Sequence, residues 1–264
     1  NSSSLMNSYE LGLSSALTFP RIVFPRMGTK EYDFPASTTF RVYIDQMNRA
    51  KYYKLLAFGG NVTYDFQPVP TRKHSITPFQ LTFNVLRNPT AAFEEIQAQN
   101  PALYISLRNQ FIPKMEYTYT YDNASLRTVR NPIWWQTTFG SAGNLTSLVY
   151  KAFGQSFSKE DKKLLGVPFA QFLNSEFRYH YRIDKNQMIA SRIAGGFIWS
   201  YGNATTAPYT EQFYIGGANS IRAYSARSIG PGGYPPDKEK KYSYINHVGD
   251  IRMEANVEYR FRIL

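Results

Sequence analysis

The sequence predicts an all-β fold, an antiparallel transmembrane β-barrel present as an incomplete set of about nine strands. Three observations carry this. Long segments alternate apolar and polar residues with a period of two, aromatic residues are in excess, and no apolar run could form a spanning helix. Mean hydropathy is −0.41, and no stretch approaches the roughly 20 consecutive apolar residues that a membrane helix requires. A barrel strand needs only about 9–11 residues and hides from hydropathy because every second side chain is polar. The 264 residues include 21 Tyr, 19 Phe and 3 Trp, and amphipathic rings collect where water meets lipid. A tyrosine-rich soluble β-protein is the alternative that composition alone leaves open.

Taken in chain order, weaker alternation runs over residues 8–19 and 38–47. Leu56, Phe58, Val62, Tyr64 and Phe66 then oppose Asn61, Thr63 and Asp65, and Phe79, Leu81, Phe83 and Val85 oppose Gln80, Thr82 and Asn84. The stretch from Pro89 to Gln110 departs from the pattern. Ala91 to Ile96 reads as a helical turn inside a loop. Phe111, Pro113, Met115, Tyr117, Tyr119 and Tyr121 alternate with Lys114, Glu116, Thr118, Thr120 and Asp122. A weaker strand is expected over 133–149. Phe177, Tyr179, Tyr181 and Ile183 alternate with Arg178, His180 and Arg182, and a further strand is expected over 187–199. The clearest signal comes last. Ile251, Met253, Ala255, Val257, Tyr259, Phe261 and Ile263 alternate strictly with Arg252, Glu254, Asn256, Glu258, Arg260 and Arg262.

Alternation does not say which face meets the core, because a soluble sandwich with its apolar face inward gives the same pattern. Length decides. The final strand is about twice the usual 5–6 residues, and with the aromatic load this places lipid outside and a polar lumen inside. Asp184-Lys185-Asn186 is a tight turn, whereas Lys151–Pro168 and Ile221–Val248 are long, and Pro20–Pro35 is another long connection. Short turns on one side and long loops on the other suit an outer-membrane barrel. Cysteine is absent, so the hydrogen-bond ladder and packing must hold the chain. The charge of +11 comes from basic residues spread singly along the strands, with Lys238, Lys240 and Lys241 the one cluster. That spread fits a charged barrel interior or anionic lipid better than a nucleic-acid stripe. The first residues, Asn1 to Ser4, carry neither a basic nor an apolar leader region.

The segment that points to function runs Glu211-Gln212-Phe213-Tyr214-Ile215-Gly216-Gly217-Ala218-Asn219-Ser220-Ile221-Arg222-Ala223-Tyr224, before the strand opening at Gly249-Asp250. Here the chain resembles the BamA/TamA outer-membrane assembly family, the bacterial surface antigen family. That family carries a Gly-Gly pair and a Val-Arg-Gly-Phe/Tyr tetrad in a long loop folded into the barrel lumen. Gly216 and Gly217 match the pair, and Ile221, Arg222, Ala223 and Tyr224 occupy the tetrad. Ala223 stands where the family has Gly, which removes an easy left-handed position. Glu258, in Val257-Glu258-Tyr259, matches the family's Leu-Glu-Phe-like context on the following strand.

The resemblance implies that Arg222 reaches down the lumen and pairs with Glu258 in a charge-assisted contact. It also implies that residues 1–264 are part of a C-terminal barrel domain, with further strands on both sides and periplasmic repeats before it. The implied function is insertion or export of client proteins at the outer membrane of a Gram-negative cell. Implied partners are client outer-membrane or secreted proteins, the lipid bilayer with its lipopolysaccharide, and accessory lipoproteins or a periplasm-spanning partner; nucleic acid is not among them. Neither cofactor nor metal is expected. A two-partner-secretion-type transporter, a general porin and a barrel lipase are the rival functions. A lipase would need Ser175 or Ser191 set against His180. The histidines, His74, His180 and His247, lack metal-ligand spacing.

Overall fold

The computed structural model describes residues 8–24, 33–49, 53–91, 93–95, 109–124, 126, 128–144, 147, 152, 169–201, 207–208, 211–224, 226–230 and 247–263. Nine strands account for most of them: β1 (Ser8–Phe19), β2 (Ala36–Arg49), β3 (Tyr53–Val69), β4 (Arg72–Arg87), β5 (Gln110–Asp122), β6 (Ile133–Ala142), β7 (Phe169–Arg182), β8 (Gln187–Tyr201) and β9 (Ile251–Phe261). They form one sheet in sequence order, each strand antiparallel to the next, with β1 and β9 as its edges. The connections β3–β4 and β7–β8 are tight. At the second, Ile183 N–H donates to the Gln187 carbonyl at 3.0 Å and Asn186 N–H to Asp184 Oδ1 at 2.7 Å. The β4–β5, β6–β7 and β8–β9 connections, all at the opposite end of the sheet, are long.

The register aligns parity from strand to strand, so each face of the sheet has one chemistry. One face carries Leu13, Val42, Ile193, Met253 and Val257, of which Met253 is 81% and Val257 74% exposed. Tryptophan and tyrosine punctuate this face near both ends. Phe66, His74, Tyr119 and Trp135 contact one another in a row toward the short-turn end, and Tyr259 stacks on Phe261 there. Phe58, Phe83 and Phe111 stack toward the long-loop end, where Trp199 meets Tyr201. From Ile189 to Trp199 the rise is about 33 Å along the strand, or about 25 Å once tilted, the height of a membrane barrel's apolar band. The other face pairs polar groups across strands: Thr63 with Thr77, Thr118 with Thr138, and Gln136 with Thr120, at 2.9–3.0 Å. The segment after β8 folds onto this face, which marks it as the interior.

Several strand limits differ from those the alternation predicts, for physical reasons. β3 starts at Tyr53 and β7 at Phe169 because their first inward residues are apolar and the period-2 signal fades there. Tyr53 and Leu55 pack with Met47 and Phe93. Ala170 and Phe172 join Ile112, Ala142, Ile198 and Ala207. Both clusters lie at the long-loop end, where the interior is dry. β6 stops at Ala142 rather than running to residue 149. Gly143 takes φ of 80°, and Ser147 N–H donates to the Gly143 carbonyl at 3.0 Å, so the chain turns helical. Of the helical turn expected at 91–96, residues 91 and 93–95 are described and are helical, with Phe93 N–H bonded to the Thr90 carbonyl at 2.9 Å. Between β4 and β5 the register shifts at Thr77/Gln80, around Pro78, which has no N–H to donate. Most of Lys151–Pro168, the lysine cluster at 238–241 and residues 25–32 lie outside the described residues.

With Val257 facing lipid, Val257→Arg should cost about 2–4 kcal/mol near the bilayer midplane, whereas Gln136→Lys on the interior face should cost far less. Urea titration of the full-length protein folded into vesicles, read by heat-modifiable gel mobility, measures both. Equal losses would reverse the assignment of faces.

Candidate functional site

The loop after β8 is built as a stem with a turn at its tip. Phe213 and Gly249 exchange two backbone hydrogen bonds of 2.9 Å, Arg227 N–H donates to Ile215 O at 3.1 Å, and Gly217 N–H donates to Tyr224 O at 2.8 Å. The stem needs left-handed backbone at Gly216 (φ 100°), Gly217 (φ 94°) and Arg227 (φ 63°). The Gly-Gly pair therefore has a steric reason to be where it is. Ala223 is not at a left-handed position, so the departure from the tetrad costs the turn nothing. Arg227 lies over the Tyr214 ring at 4.6 Å and ties the two arms together.

Beneath the tip, the inward residues of β7, β8 and β9 form a continuous ionic chain. The Glu176 carboxylate receives Arg178 Nε at 2.6 Å and Arg192 Nε and Nη2 at 2.9 and 3.0 Å. Arg192 also donates through Nη1 to Glu254 Oε1 and, at 3.2 Å, to Asn256 Oδ1. The free oxygen of Glu254, Oε2, accepts the Ser220 hydroxyl of the loop at 2.8 Å. Ser220 Oγ in turn accepts the Gly216 N–H at 3.2 Å. Glu254 is buried, so its two oxygens are both satisfied, one by the wall and one by the loop. Arg178 covers Trp134 of β6 at 4.5 Å.

Arg222 and Glu258 line one cavity of about 860 Å³ with Arg178, His180, Arg192 and Arg260. The two side chains do not hydrogen-bond to each other in this conformation. Glu258 instead receives Arg260 Nε and Nη2 at 2.9 and 2.7 Å, with Arg222 on the wall of the same cavity. Ile221, Arg222, Ala223 and Tyr224 are exposed, and the first two line this cavity. The loop contact that forms is Ser220–Glu254, which sequence reasoning missed although parity had put Glu254 inward; only the register reveals that it lies under residue 220. For the lipase geometry, Ser175 and Ser191 face outward. Ser175 Oγ bonds Thr137 Oγ1 at 2.8 Å and Ser191 Oγ donates to Tyr179 O at 3.1 Å, while His180 lines the interior cavity. Ser191 borders the same cavity, but its hydroxyl is taken up by the Tyr179 carbonyl and its parity is opposite to that of His180.

A long-stranded antiparallel sheet with a lipid-facing outer surface, a polar interior and an interior-folded loop is the wall of an outer-membrane β-barrel. The sequence matches the Omp85 superfamily domain over residues 6–264, and the chain belongs to the Omp85 superfamily, whose home is the outer membrane of Gram-negative bacteria. Over 56 residues it is 38% identical to the outer membrane protein assembly factor BamA of Nitratidesulfovibrio vulgaris, a stretch that is 21% of this chain and 7% of that protein. The solved structure of BamA from Haemophilus ducreyi lacking POTRA domains 1-3 superposes with a TM-score of 0.64 at 14% identity, over 95% of this chain and 44% of that one. The chain thus spans less than half of the structure it matches.

Glu254→Ala should destabilise the folded protein by about 3 kcal/mol, the low end for breaking a buried pair, because Arg192 keeps Glu176. Glu258→Ala removes a solvent-exposed partner and should leave stability unchanged. Unfolding midpoints in vesicles rank the two, and the reverse order would contradict the ionic chain described above.

Proposed function

We infer that the chain is the central part of a barrel that inserts or exports client proteins at the outer membrane, with loop 211–228 as its working element. The observation that supports this most directly is the loop tip held over a charged wall by Ser220–Glu254, with Arg222 beside Glu258. On this reading Arg222 competes with Arg260 for Glu258. In one position of the tip the guanidinium of Arg222 pairs with that carboxylate; in the other, Arg260 does. Fork-shaped guanidinium on carboxylate gives the exchange its specificity. The clients are outer-membrane or secreted proteins, whose unpaired strands cost several kcal/mol per unsatisfied backbone group in lipid. A barrel that templates such strands lowers that barrier without bond-making chemistry, so no catalytic residue is assigned.

In cells depleted of the native copy, full-length protein carrying Arg222→Ala should show clearly reduced assembly of client barrels, scored by the folded fraction on heat-modifiable gels, while its own barrel stays folded. Normal client assembly, with only single-channel conductance altered, would favour a porin and overturn the reading.

A further inference from the structure

The loop is attached to the interior at a second place, away from its arginine tip. Lys114 of β5 sends its ammonium to Glu116 at 2.9 Å and to Glu211 at 2.9 Å, and lies over the Phe172 ring at 4.7 Å. The Lys114 and Glu211 side chains are only 12% and 15% exposed. Glu211 follows β8, and β6 and β7 separate β8 from β5 in the sheet, so this ion pair crosses the concave interior instead of running along the wall.

The ground around it is apolar, unlike the rest of the lumen. Ile112, Ala142, Ala170, Phe172, Ile198 and Ala207 pack together, and Phe213 packs against them. Two glycines make the fit possible. A Cβ at Gly196 would enter the Phe213 ring, and one at Gly140 would enter the Phe172 ring. Gln212 Nε2 donates to Asp250 Oδ1 at 2.9 Å and Arg252 lies 5.5 Å from the Phe213 ring centroid, which closes the root from the β9 side. The tip offers a contrast: Ile221 to Tyr224 are exposed and Ser220–Glu254 is the hydrogen bond that holds them down.

We propose that Lys114 is a positioning residue that latches the root of the lumen loop, Glu211–Phe213, across the barrel to β5. Movement of the loop is then confined to the tip, and the loop does not leave the lumen as a whole. The latch deepens the reading of 211–228 as the working element and depends on it for its functional meaning. Removing one partner of a buried ion pair leaves the other charge unpaired, and here two carboxylates would be left facing each other.

The test uses the full-length protein in vesicles, with Lys114→Met, Glu211→Gln and the exchange K114E/E211K. Trypsin cuts after Arg222 and Arg227 when the root opens, and cleavage follows the open population when opening is fast. Lys114→Met should raise the rate of loop cleavage about tenfold or more and increase single-channel conductance, with heat-modifiable mobility retained. The exchange, which again sets one ammonium between two carboxylates, should restore both readouts. If Lys114→Met does not fold, Glu211→Gln, which leaves Lys114 paired with Glu116, gives the same comparison. Unchanged cleavage and conductance in a folded variant, or no rescue by the exchange, would overturn the latch. Arg222→Ala separates the two ideas: a normal client-assembly phenotype there with a cleavable Lys114→Met loop refutes the functional reading and keeps the latch.

Discussion

Backbone amides in hydrocarbon have no water to bond, so every strand of this chain must find its partners in the neighbouring strands. That constraint dictates the rest. Strands long enough to cross the bilayer must pair along their full length, and in a pleated ladder full pairing aligns the parity of all nine. Once parity is common, lipid selects apolar side chains for one face and leaves the other free to carry charge. The isolated bridge between Phe213 and Gly249 extends the same rule to the loop, which enters the interior by adding two more backbone bonds.

The interior then has to hold charges that cannot be exported to the outer face. It does so by sharing them. Arg192 serves two carboxylates and Glu176 serves two guanidinium groups, so three strands are joined by side chains as well as by backbone. Ser220 inserts an uncharged hydroxyl into the last open site of this chain of ions. A neutral donor there holds the loop without adding a charge that would have to be balanced. The root is held by different physics, apolar packing and one nearly enclosed ammonium.

Much of this was legible from residue order. Val257, Tyr259 and Phe261 against Glu254, Glu258 and Arg260 gave both the strand and its faces, because parity survives wherever water and lipid lie on opposite sides. The fold class follows from that alone. Legibility failed where the interior is dry: Tyr53, Leu55, Ala170 and Phe172 are apolar on the inward parity, which erases the alternation and shortens the expected strands. It failed again for contacts distant in sequence. Lys114 and Glu211 are separated by three further strands, and nothing in either neighbourhood marks the other. The Gly-Gly pair and Arg222 were recognisable as a motif, yet which carboxylate the tip would touch depended on a stagger that no local pattern encodes.

The oily clusters sit at the rim bearing the long connections, and the polar cavity with His180 and Arg260 lies toward the tight turns. Along this stretch of wall the interior therefore changes from ionic to apolar toward the long connections. At the tight-turn end a charged group has guanidinium and carboxylate neighbours, whereas at the other end it meets mostly apolar side chains. A charge introduced among the residues of those clusters would therefore be costlier than one added to the cavity wall, unless it found a partner as Lys114 does.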